Sequence, residues 1–351
     1  MNHLIISFIS FFFVYFLTFL IKKIAIKLNF IDKPEERKFH TKPTALMGGI
    51  AIFFGLLFGL LVAFFVCKQL LPPNHQIEFY LIGAFLISLL GLIDDRFGMN
   101  PYLKFFLQTI IALIFIFGQG YQSLIFSPYI TIPLLAAWIV GLMNALNFLD
   151  NMDGITSGMA TILGLGFFAL GILSGNHFLS LLAGIFMAST FGFLFHNFHP
   201  AKIFLGDAGS MLIGYTLAVF GITLVDEIIN TNGLINFSIL LPILLLSYAI
   251  FDISLVSITR HRDGRYVLEG GKDHSTHRIG TATGSVKVTA GMVYLINILL
   301  VLASVIVFRA NNQYLTLIIT VIFSLSFLFF GDKLDKIPIV ISQNQLKKKP
   351  F

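Results

Sequence analysis

The chain has little charge and almost no cysteine or tryptophan. Charged residues make up 11% of its 351 positions, whereas a soluble domain carries roughly 25%. The single cysteine, Cys67, excludes an internal disulfide bond. Hydrophobic residues, in contrast, make up 57% of the chain, and its mean hydropathy is +0.90. This composition excludes a soluble globular protein and predicts a polytopic integral membrane protein.

Apolar runs long enough to cross a bilayer recur along the whole chain. A spanning helix needs about 20 mostly apolar residues, and unbroken apolar runs exclude a β-barrel, whose strands alternate polar and apolar residues. The sequence therefore predicts an all-α fold with about eleven transmembrane helices in one domain. The candidate spans are residues 3–21, 48–67, 79–93, 102–120, 131–147, 157–173, 178–195, 210–225, 237–257, 287–308 and 313–330.

The distribution of lysine and arginine predicts the orientation of these spans. With the N-terminus outside, every basic residue except Lys68 and Arg309 falls on one side, and basic loops mark the cytoplasmic side. We therefore expect a cytoplasmic C-terminus, with residues 331–351 as a basic tail at the membrane surface. The same topology brings five loops together on the cytoplasmic face: 22–47, 94–101, 148–156, 196–209 and 258–286.

The first acidic motif on that face is the pair Asp94 and Asp95, at the end of the third span. Neighbouring residues on a helix point about 100° apart, so the two carboxylates form one chelating face only if the helix frays. Acidic residues at membrane depth are costly and mark functional sites, which makes one of them a candidate base or phosphate-facing group. The alternative is a helix end whose charges lie among the lipid headgroups.

A second motif ends at Gly154 and carries Asn144, Asn147, Asp150 and Asp153 at intervals of three. On a continuous helix this spacing lays four oxygen-bearing side chains along one stripe. Mg²⁺ prefers one or two protein oxygens and completes its shell with water and phosphate. The stripe therefore suits a Mg²⁺ ion, or hydrogen bonds to a sugar or base. The alternative is a polar helix end that faces water.

A third motif, Gly206-Asp207-Ala208-Gly209-Ser210, immediately precedes the eighth predicted span. Small residues allow a ligand to approach the backbone closely, and the helix that follows offers free N–H groups to an anion. Asp207 itself favours a phosphate only if a cation lies between them. The pattern alone is weak, because ordinary turns with a helix cap also show it.

The loop 258–286 is rich in basic residues and contains His274, His277 and Arg278. Two histidines three residues apart could bind zinc, but zinc needs two further ligands, and no cysteine lies here. We therefore expect a cationic pocket for a diphosphate or a sugar. A merely positive inner loop is the alternative.

Asp252 lies inside the ninth predicted span, upstream of this loop. A carboxylate in a membrane span needs a partner. Arg260 and Lys104 are the candidates, and the sequence does not choose between them.

Taken together, these residues resemble the polyprenyl-phosphate N-acetylhexosamine-1-phosphate transferases, a membrane superfamily also known as glycosyltransferase family 4. The resemblance covers about residues 30–330. Each motif is modest alone, but five of them in order on one membrane face are specific. The motifs are Arg37-Lys38-Phe39-His40 through Lys42-Pro43 to Gly48-Gly49; Asp94-Asp95 with Lys104; Asn144 to Gly154; Pro200-Ala201 through Phe204 to Ser210; and Asp273-His274 to Arg278.

The resemblance implies an enzyme that transfers N-acetylhexosamine-1-phosphate from a UDP-sugar to undecaprenyl phosphate and releases UMP. It implies a location in the cell inner (plasma) membrane, a requirement for Mg²⁺, for which Mn²⁺ can substitute, and a role in starting a cell-envelope polysaccharide such as lipopolysaccharide or teichoic acid. The expected partners are a UDP-N-acetylhexosamine, undecaprenyl phosphate and membrane lipids. We expect no nucleic-acid partner, and the resemblance leaves scope for a homodimer.

The family's functional positions fall on residues already singled out. The implied metal ligands are Asn147 and Asp207. The carboxylates implied in catalysis are Asp94, Asp95, Asp150 and Asp153. The side chains implied in substrate binding are Lys104, Asn144, His274, His277 and Arg278. A lipid phosphate is already ionised near neutral pH, so its direct attack on the donor is favoured over a covalent aspartyl intermediate.

Two stretches depart from the family pattern. The family often reads Asp-Gly-x-Asp where this chain has Asp150-Asn151-Met152-Asp153, and Asn151 tolerates unusual backbone angles. The related transferases often carry His-x-His-His-Arg, whereas this chain reads His274-Ser275-Thr276-His277-Arg278. The three consecutive histidines of the phospho-MurNAc-pentapeptide translocase are absent, which favours UDP-GlcNAc as the donor.

Other functions remain as alternatives. A transporter would also be polytopic, but it places ionisable groups near mid-membrane and often shows paired halves. A CDP-alcohol phosphotransferase carries Asp-Gly-x-x-Ala-Arg, whereas Asp153-Gly154 continues here as Ile155-Thr156-Ser157-Gly158. Within the family, a UDP-MurNAc-pentapeptide donor is the alternative.

Overall fold

The computed structural model describes residues 2–32, 43–71, 76–232, 236–266 and 271–338. Part of the first family motif, from Arg37 to Lys42, lies outside these ranges, and so do the tail lysines at 347–349. Thirteen α-helices lie within the described ranges. They are α1 (Asn2–Lys27), α2 (Gly48–Val66), α3 (Gln76–Phe97), α4 (Pro101–Gly118), α5 (Pro128–Leu149), α6 (Ile155–Ser174), α7 (His177–Asn197), α8 (Gly206–Asn232), α9 (Leu241–Leu245), α10 (Ser247–Arg262), α11 (Ser275–Thr283), α12 (Val286–Ala310) and α13 (Gln313–Asp335).

Ten of these helices, counted over the described residues, are long and apolar enough to cross a bilayer. The predicted all-α polytopic class is therefore confirmed. The ninth predicted span, 237–257, is not one straight helix, because Phe237–Leu245 and Ser247–Arg262 meet at 72°. The break lies at Leu246, whose φ of −97° and ψ of 10° depart from helical values. The total reaches the predicted eleven if this bent pair is counted as one span.

Helix α8 is the centre of the bundle. Nearly all of its side chains are buried, and it packs against α2, α3, α5 and α6. Such a helix, apolar on all sides, belongs in the interior of a bundle. In contrast, α4 and α13 present most of their apolar side chains at the outer surface, as expected of helices that face lipid.

Glycines bring the ends of α2, α3 and α8 into backbone contact. A Cβ atom at Gly91 of α3 would overlap the backbone of Ala208, and one at Gly49 of α2 would overlap the backbone of Gly209. Small residues allow this close approach, which is typical of helix packing in membranes. The three ends meet at one end of the bundle, which we call the site face.

A short hairpin lies at the same face and is the exception to the all-α description. Strands β1 (Ile31–Asp32) and β2 (Thr44–Ala45) pair antiparallel. The carbonyl of Ala45 accepts the N–H of Phe204 at 2.8 Å, and the carbonyl of Phe204 accepts the N–H of Gly48 at 3.0 Å. These bonds fasten the segment that leads into α8 to the start of α2.

Candidate active site

Lys104 joins three helices at the site face. Its Nζ atom lies 2.7 Å from Oδ2 of Asp94 and 2.6 Å from Oδ2 of Asp207. The lysine comes from α4, Asp94 from the last turns of α3, and Asp207 from the first turn of α8. We call these three residues the Lys104 cluster. The ammonium is largely shielded from solvent, so its two short ion pairs are stronger than pairs on an exposed surface.

Asp95 points away from its neighbour and binds the start of α8. Its Oδ1 accepts the N–H of Asp207 at 2.9 Å, and its Oδ2 accepts the N–H of Ala208 at 3.3 Å. A carboxylate here satisfies free amides and interacts favourably with the positive end of the helix. This explains why α8 begins at Gly206, four residues before the predicted span. A Cβ at Gly206, where φ is +72°, would lie 2.6 Å from Oδ2 of Asp95, so a glycine is needed.

Asp94 uses its second oxygen to order the connection between α3 and α4. Its Oδ1 accepts the N–H of Met99 at 2.6 Å, while Oδ2 contacts Lys104. The two adjacent aspartates therefore have different partners, as the 100° separation on a helix predicts. They do not chelate a common ion in this arrangement.

The stripe predicted from Asn144 to Asp153 is divided, because α5 ends at Leu149. Asn144, the deepest member, donates to Oε1 of Gln108 at 2.7 Å and so joins α5 to α4. Asn147 donates to Oγ of Ser210 at 3.1 Å. Ser210 lies one turn after Asp207 in α8, so the structure brings the two predicted metal ligands to the same side of α5 and α8.

Asp150 and Asp153 lie beyond the helix, in the turn that ends at Gly154. Asp153 accepts the N–H of Ala201 at 3.0 Å and pairs with Nδ1 of His199 at 2.8 Å. For Asp150, burial and the negative charges of Asp207, Asp95 and Asp153 raise the pKa to about 8. The prediction of one continuous helical stripe is therefore wrong, because the backbone leaves the helix at Asp150.

The histidine-bearing segment is fixed by a buried carboxylate. Nδ1 of His274 lies 2.8 Å from Oδ2 of Asp252. Ser275 donates to Oδ1 of the same aspartate from its N–H at 2.7 Å and from its hydroxyl at 2.5 Å. The partner of Asp252 is thus neither Arg260 nor Lys104, the two candidates from the sequence. A buried carboxylate with this many partners is well satisfied.

The arginines of this loop have carboxylate and carbonyl partners within the protein. Arg260 and Arg265 both bind Asp273, and the Arg260 contact is bidentate, at 2.8 and 2.6 Å. Burial opposes ionisation of Asp273, but the bonds and charges of the two arginines lower its pKa to about 2. Arg278 is buried and donates to the carbonyls of Asp273 and Leu334.

His277 supplies no permanent positive charge either. Burial and the charge of His274 lower its pKa to about 4, so His277 is neutral at physiological pH. His277 is therefore neutral, and Arg260, Arg265 and Arg278 have partners within the protein, because buried cations require partners and buried histidines lose their proton. The cationic pocket for a diphosphate or a sugar stays a prediction.

Comparison with known proteins identifies the family of this chain. A family model described as "Glycosyl transferase family 4" matches residues 77–225. A "Probable undecaprenyl-phosphate N-acetylglucosaminyl 1-phosphate transferase" of Bacillus subtilis (strain 168) is 34% identical over 331 residues, which cover 91% of this chain and 88% of the relative. This chain belongs to glycosyl transferase family 4.

Two further relatives indicate the branch of that family. A "Decaprenyl-phosphate N-acetylglucosaminephosphotransferase" of Mycobacterium leprae is 32% identical over 76% of this chain and 73% of the relative. A "Phospho-N-acetylmuramoyl-pentapeptide-transferase" of Oceanobacillus iheyensis is 31% identical over 58% of this chain and 69% of the relative. The longer matches belong to the N-acetylglucosamine-1-phosphate transferase branch, as the sequence predicted.

The side chains of this family member suit a hard divalent cation completed by water and phosphate. Among the described residues, no three His, Cys, Asp or Glu side chains are arranged to hold a metal by themselves. Mg²⁺ does not require such a cage, since it is bound through one or two carboxylates together with substrate phosphates. Burial first, and then the negative charges of Asp207, Asp95 and Asp153, raise the pKa of Asp150 to about 8, and a cation nearby would offset those charges.

Two residues that contact the site, His199 and Tyr294, were not predicted from the sequence. His199 pairs with Asp153, and its position directly before Pro200, where a recognised motif begins, was the available signal. Tyr294 of α12 donates its hydroxyl to the carbonyl of Gly154 at 2.6 Å. It lies in a long apolar run, and nothing in the sequence separates it from an ordinary core tyrosine.

Proposed function

We propose that this protein transfers GlcNAc-1-phosphate from UDP-GlcNAc to undecaprenyl phosphate and releases UMP, thereby starting a cell-envelope polysaccharide. The reaction takes place at the cytoplasmic face of the plasma membrane, which is the inner membrane where there are two. The names of the long-matching relatives support the reaction. The concentration of basic residues in the loops of the site face supports the location.

The observation that carries the proposal is the Lys104 cluster. A single ammonium, shared by Asp94 and Asp207 at 2.7 and 2.6 Å, lies among carboxylates at the end of a membrane bundle. A reaction between two phosphates brings anions together, so the site must supply positive charge and hold the reacting groups in line. Lys104 supplies one such charge, and its two partners hold it in place.

Mg²⁺ would supply the remaining positive charge, and Mn²⁺ could replace it. Asp207 and Asn147 are the proposed ligands, because the Asn147–Ser210 bond places them on adjoining faces of α5 and α8. When bound, the ion would polarise the donor diphosphate and stabilise the charge that develops on the departing phosphate.

In the proposed reaction, an oxygen of the lipid phosphate attacks the sugar-bearing phosphorus of UDP-GlcNAc. A phosphorus–oxygen bond forms there, and the bond to the second phosphate breaks, so that UMP departs with the bonding electrons. Both oxygens of Asp95 accept backbone amides, and both oxygens of Asp94 are engaged. Both side chains are thus held in place by partners within the protein, and we favour direct attack over a covalent aspartyl intermediate.

The two substrates would approach the Lys104 cluster from different sides. Aromatic side chains around the α3–α4 connection, including Phe97, Tyr102 and Phe106, are exposed at the bundle surface and would accompany the polyprenyl chain. On the other side, Asp150, Asp153 and the histidines of the 271–284 segment would contact the nucleotide sugar. Neutral His277 would act there through hydrogen bonds rather than through charge.

The decisive experiment measures UMP release by purified protein given undecaprenyl phosphate and Mg²⁺. UDP-GlcNAc, UDP-GalNAc and UDP-MurNAc-pentapeptide are supplied in parallel. We expect UMP that depends on both lipid and metal, with UDP-GlcNAc the best donor. No UMP from any donor, with protein shown to be folded, would refute the proposal and favour the transporter alternative, for which flux into vesicles is the assay.

The same assay of UMP release tests Asp207 as a metal ligand through one variant. Asp207→Asn keeps the size of the side chain and removes its charge, so we expect a folded protein without turnover. Near-native turnover of this variant at saturating Mg²⁺ would exclude Asp207 as a metal ligand. Asp332→Asn, at an exposed aspartate that pairs with Lys336, is the matched control and should behave as the native protein.

A further inference from the structure

The turn that carries Asp150 and Asp153 is bonded directly to helix α11. Thr276 of α11 is fully buried and donates its hydroxyl to Oδ1 of Asn151 at 2.7 Å. The amide nitrogen of Asn151 in turn donates to the carbonyl of Phe148 at 2.8 Å. One side chain therefore closes the end of α5 and at the same time holds α11.

Two further contacts extend this junction in both directions. The ring of Phe148 packs edge-on against His274, with ring centroids 5.8 Å apart. On the other side, a Cβ atom added to Gly280 would lie 2.9 Å from Cε of Met152, so the methionine packs directly on this glycine. The end of α5 and the turn after it thus contact the segment that runs from His274 to Gly280.

Asn151 and Thr276 are also the two positions at which this chain departs from the family patterns quoted above. A glycine often stands in place of Asn151, and a histidine often stands in place of Thr276. Glycine has no side chain and cannot accept the hydroxyl hydrogen of Thr276. The two departures are therefore in contact with each other: Thr276 supplies the donor and Asn151 the acceptor of one hydrogen bond.

We propose that Asn151 and Thr276 form a positioning pair that fixes the histidine-bearing helix on the aspartate turn and sets the geometry of the donor site. Asn151 directly follows Asp150, and Thr276 directly precedes His277. Their hydrogen bond therefore joins the immediate chain neighbours of two residues assigned to the donor. The part of this inference that concerns the donor rests on the proposed function. The docking of α11 on the aspartate turn is independent of the proposed function.

Hydrogen–deuterium exchange of the full-length protein tests the docking without any activity. Thr276→Val removes the hydroxyl and keeps the shape, and we expect about three- to tenfold faster amide exchange in residues 271–284, the effect of one lost hydrogen bond. Asn151→Ala should do the same, and the double variant should exchange no faster than the faster single variant. Unchanged exchange in Thr276→Val would overturn the docking.

Two matched variants control this measurement. Thr276→Ser keeps the hydroxyl and should restore native exchange. Thr281→Val makes the same substitution at an exposed threonine in the same helix and should leave exchange unchanged. Equal acceleration by Thr276→Val and Thr281→Val would show a general effect of valine on α11 and would also overturn the docking.

Steady-state kinetics test the donor role. We expect Thr276→Val and Asn151→Ala each to raise KM for UDP-GlcNAc about three- to tenfold, with KM for undecaprenyl phosphate unchanged and with rescue by Thr276→Ser. The double variant should be no worse than the poorer single variant. An equal rise in both KM values would show a merely structural role. If the native protein releases no UMP, the proposed function fails, while the exchange experiment still decides the docking.

Discussion

Nδ1 of His274 lies 2.8 Å from Oδ2 of Asp252, and both side chains are buried where α10 meets the start of α11. Because a carboxylate accepts there, Nδ1 carries the proton, and Nε2 is the atom left for a substrate. Within the described residues, Nε2 makes no hydrogen bond. If His274 contacts the donor as proposed, Asp252 acts through it as a positioning residue in α10.

Replacing Asp252 with asparagine should disturb this orientation. An amide can present N–H to Nδ1, which favours the other tautomer and leaves a proton on Nε2. We expect kcat/KM for UDP-GlcNAc to fall at least about tenfold, since the same change in a serine protease triad is far more costly. Steady-state UMP release measures the effect, with Asp332→Asn as the control at an exposed site.

A double variant distinguishes positioning from a general loss of structure. If Asp252 works through His274, adding Asp252→Asn to His274→Ala should cause little further loss of kcat/KM. Multiplying losses would mean that the two residues act independently. Native kinetics in Asp252→Asn alone would contradict the positioning role altogether.

Lys104 is expected to be essential for turnover and also to stabilise the bundle end. Lys104→Met keeps the length of the side chain but leaves Asp94 and Asp207 near each other without a shared cation. We expect no measurable turnover and a loss of about 1–3 kcal/mol in the free energy of unfolding, less than for a fully buried pair because the site is partly solvated. Thermal unfolding in detergent measures the second effect.

The stability loss should be reversible by removing a second charge. Asp94→Asn in the Lys104→Met background relieves the repulsion, so the double variant should unfold at a higher temperature than Lys104→Met alone. Its turnover should remain absent, because the ammonium is still missing. A double variant less stable than Lys104→Met would show that the carboxylates do not repel each other at this site.

The sequence predicted those features that local composition determines. Apolar runs predicted the spans, and the topology of these spans put Asp94, Asp150 and Asp207 on one side of the membrane. In the structure these three residues lie at the site face. Helix ends were less predictable. The eighth span starts early because Asp95, more than a hundred residues upstream, accepts the amides of its first turn.

Long-range partners could not be read from the sequence. Asp252 was assigned a lysine or arginine, yet packing places His274 and Ser275 beside it. Basic residues in the 258–286 loop predicted a cationic pocket, and nothing in their spacing shows that Arg260 pairs with Asp273. Spacing along the chain reports which residues share a helix face, but only the tertiary arrangement decides which charges neutralise each other.

Gly91 should be intolerant of even one added methyl group. A Cβ there would overlap the backbone of Ala208, so Gly91→Ala must push α3 away from the start of α8 and separate Asp95 from the amides that it binds. We expect at least a tenfold loss of kcat, given that displacements of about 1 Å cost about a hundredfold in catalysis. UMP release and thermal unfolding are measured together.

Gly141→Ala is the matched control for this prediction. Gly141 also lies within a membrane helix, but nothing is within 4 Å of an added Cβ. Alanine in such a position stabilises a helix by roughly 0.5–1 kcal/mol, so this variant should keep its activity and unfold at an equal or higher temperature. Native activity in Gly91→Ala would show that the backbone contact does not position the site.

The raised pKa of Asp150 predicts a pH-dependent affinity for Mg²⁺. Burial and the charges of Asp207, Asp95 and Asp153 raise this pKa to about 8, so without a metal Asp150 keeps its proton at neutral pH. A cation bound beside it favours the ionised form, and the proton must leave. Below about pH 8 the affinity should therefore weaken by about tenfold for each pH unit, and above it the affinity should level off.

Calorimetric titration of Mg²⁺ into the purified protein, at several pH values between about 6.5 and 9, tests the direction and the slope of this change in affinity with pH. Buffers with different ionisation enthalpies reveal the released proton directly. Asp150→Asn removes one titrating group, so its affinity should depend less steeply on pH than that of the native protein, whereas Asp263→Asn, at the exposed end of α10, should retain the native slope. A native affinity that stays constant from about pH 6.5 to 8.5 would mean that Asp150 is ionised before the metal arrives, and that its surroundings are less negative than the cluster of four aspartates implies.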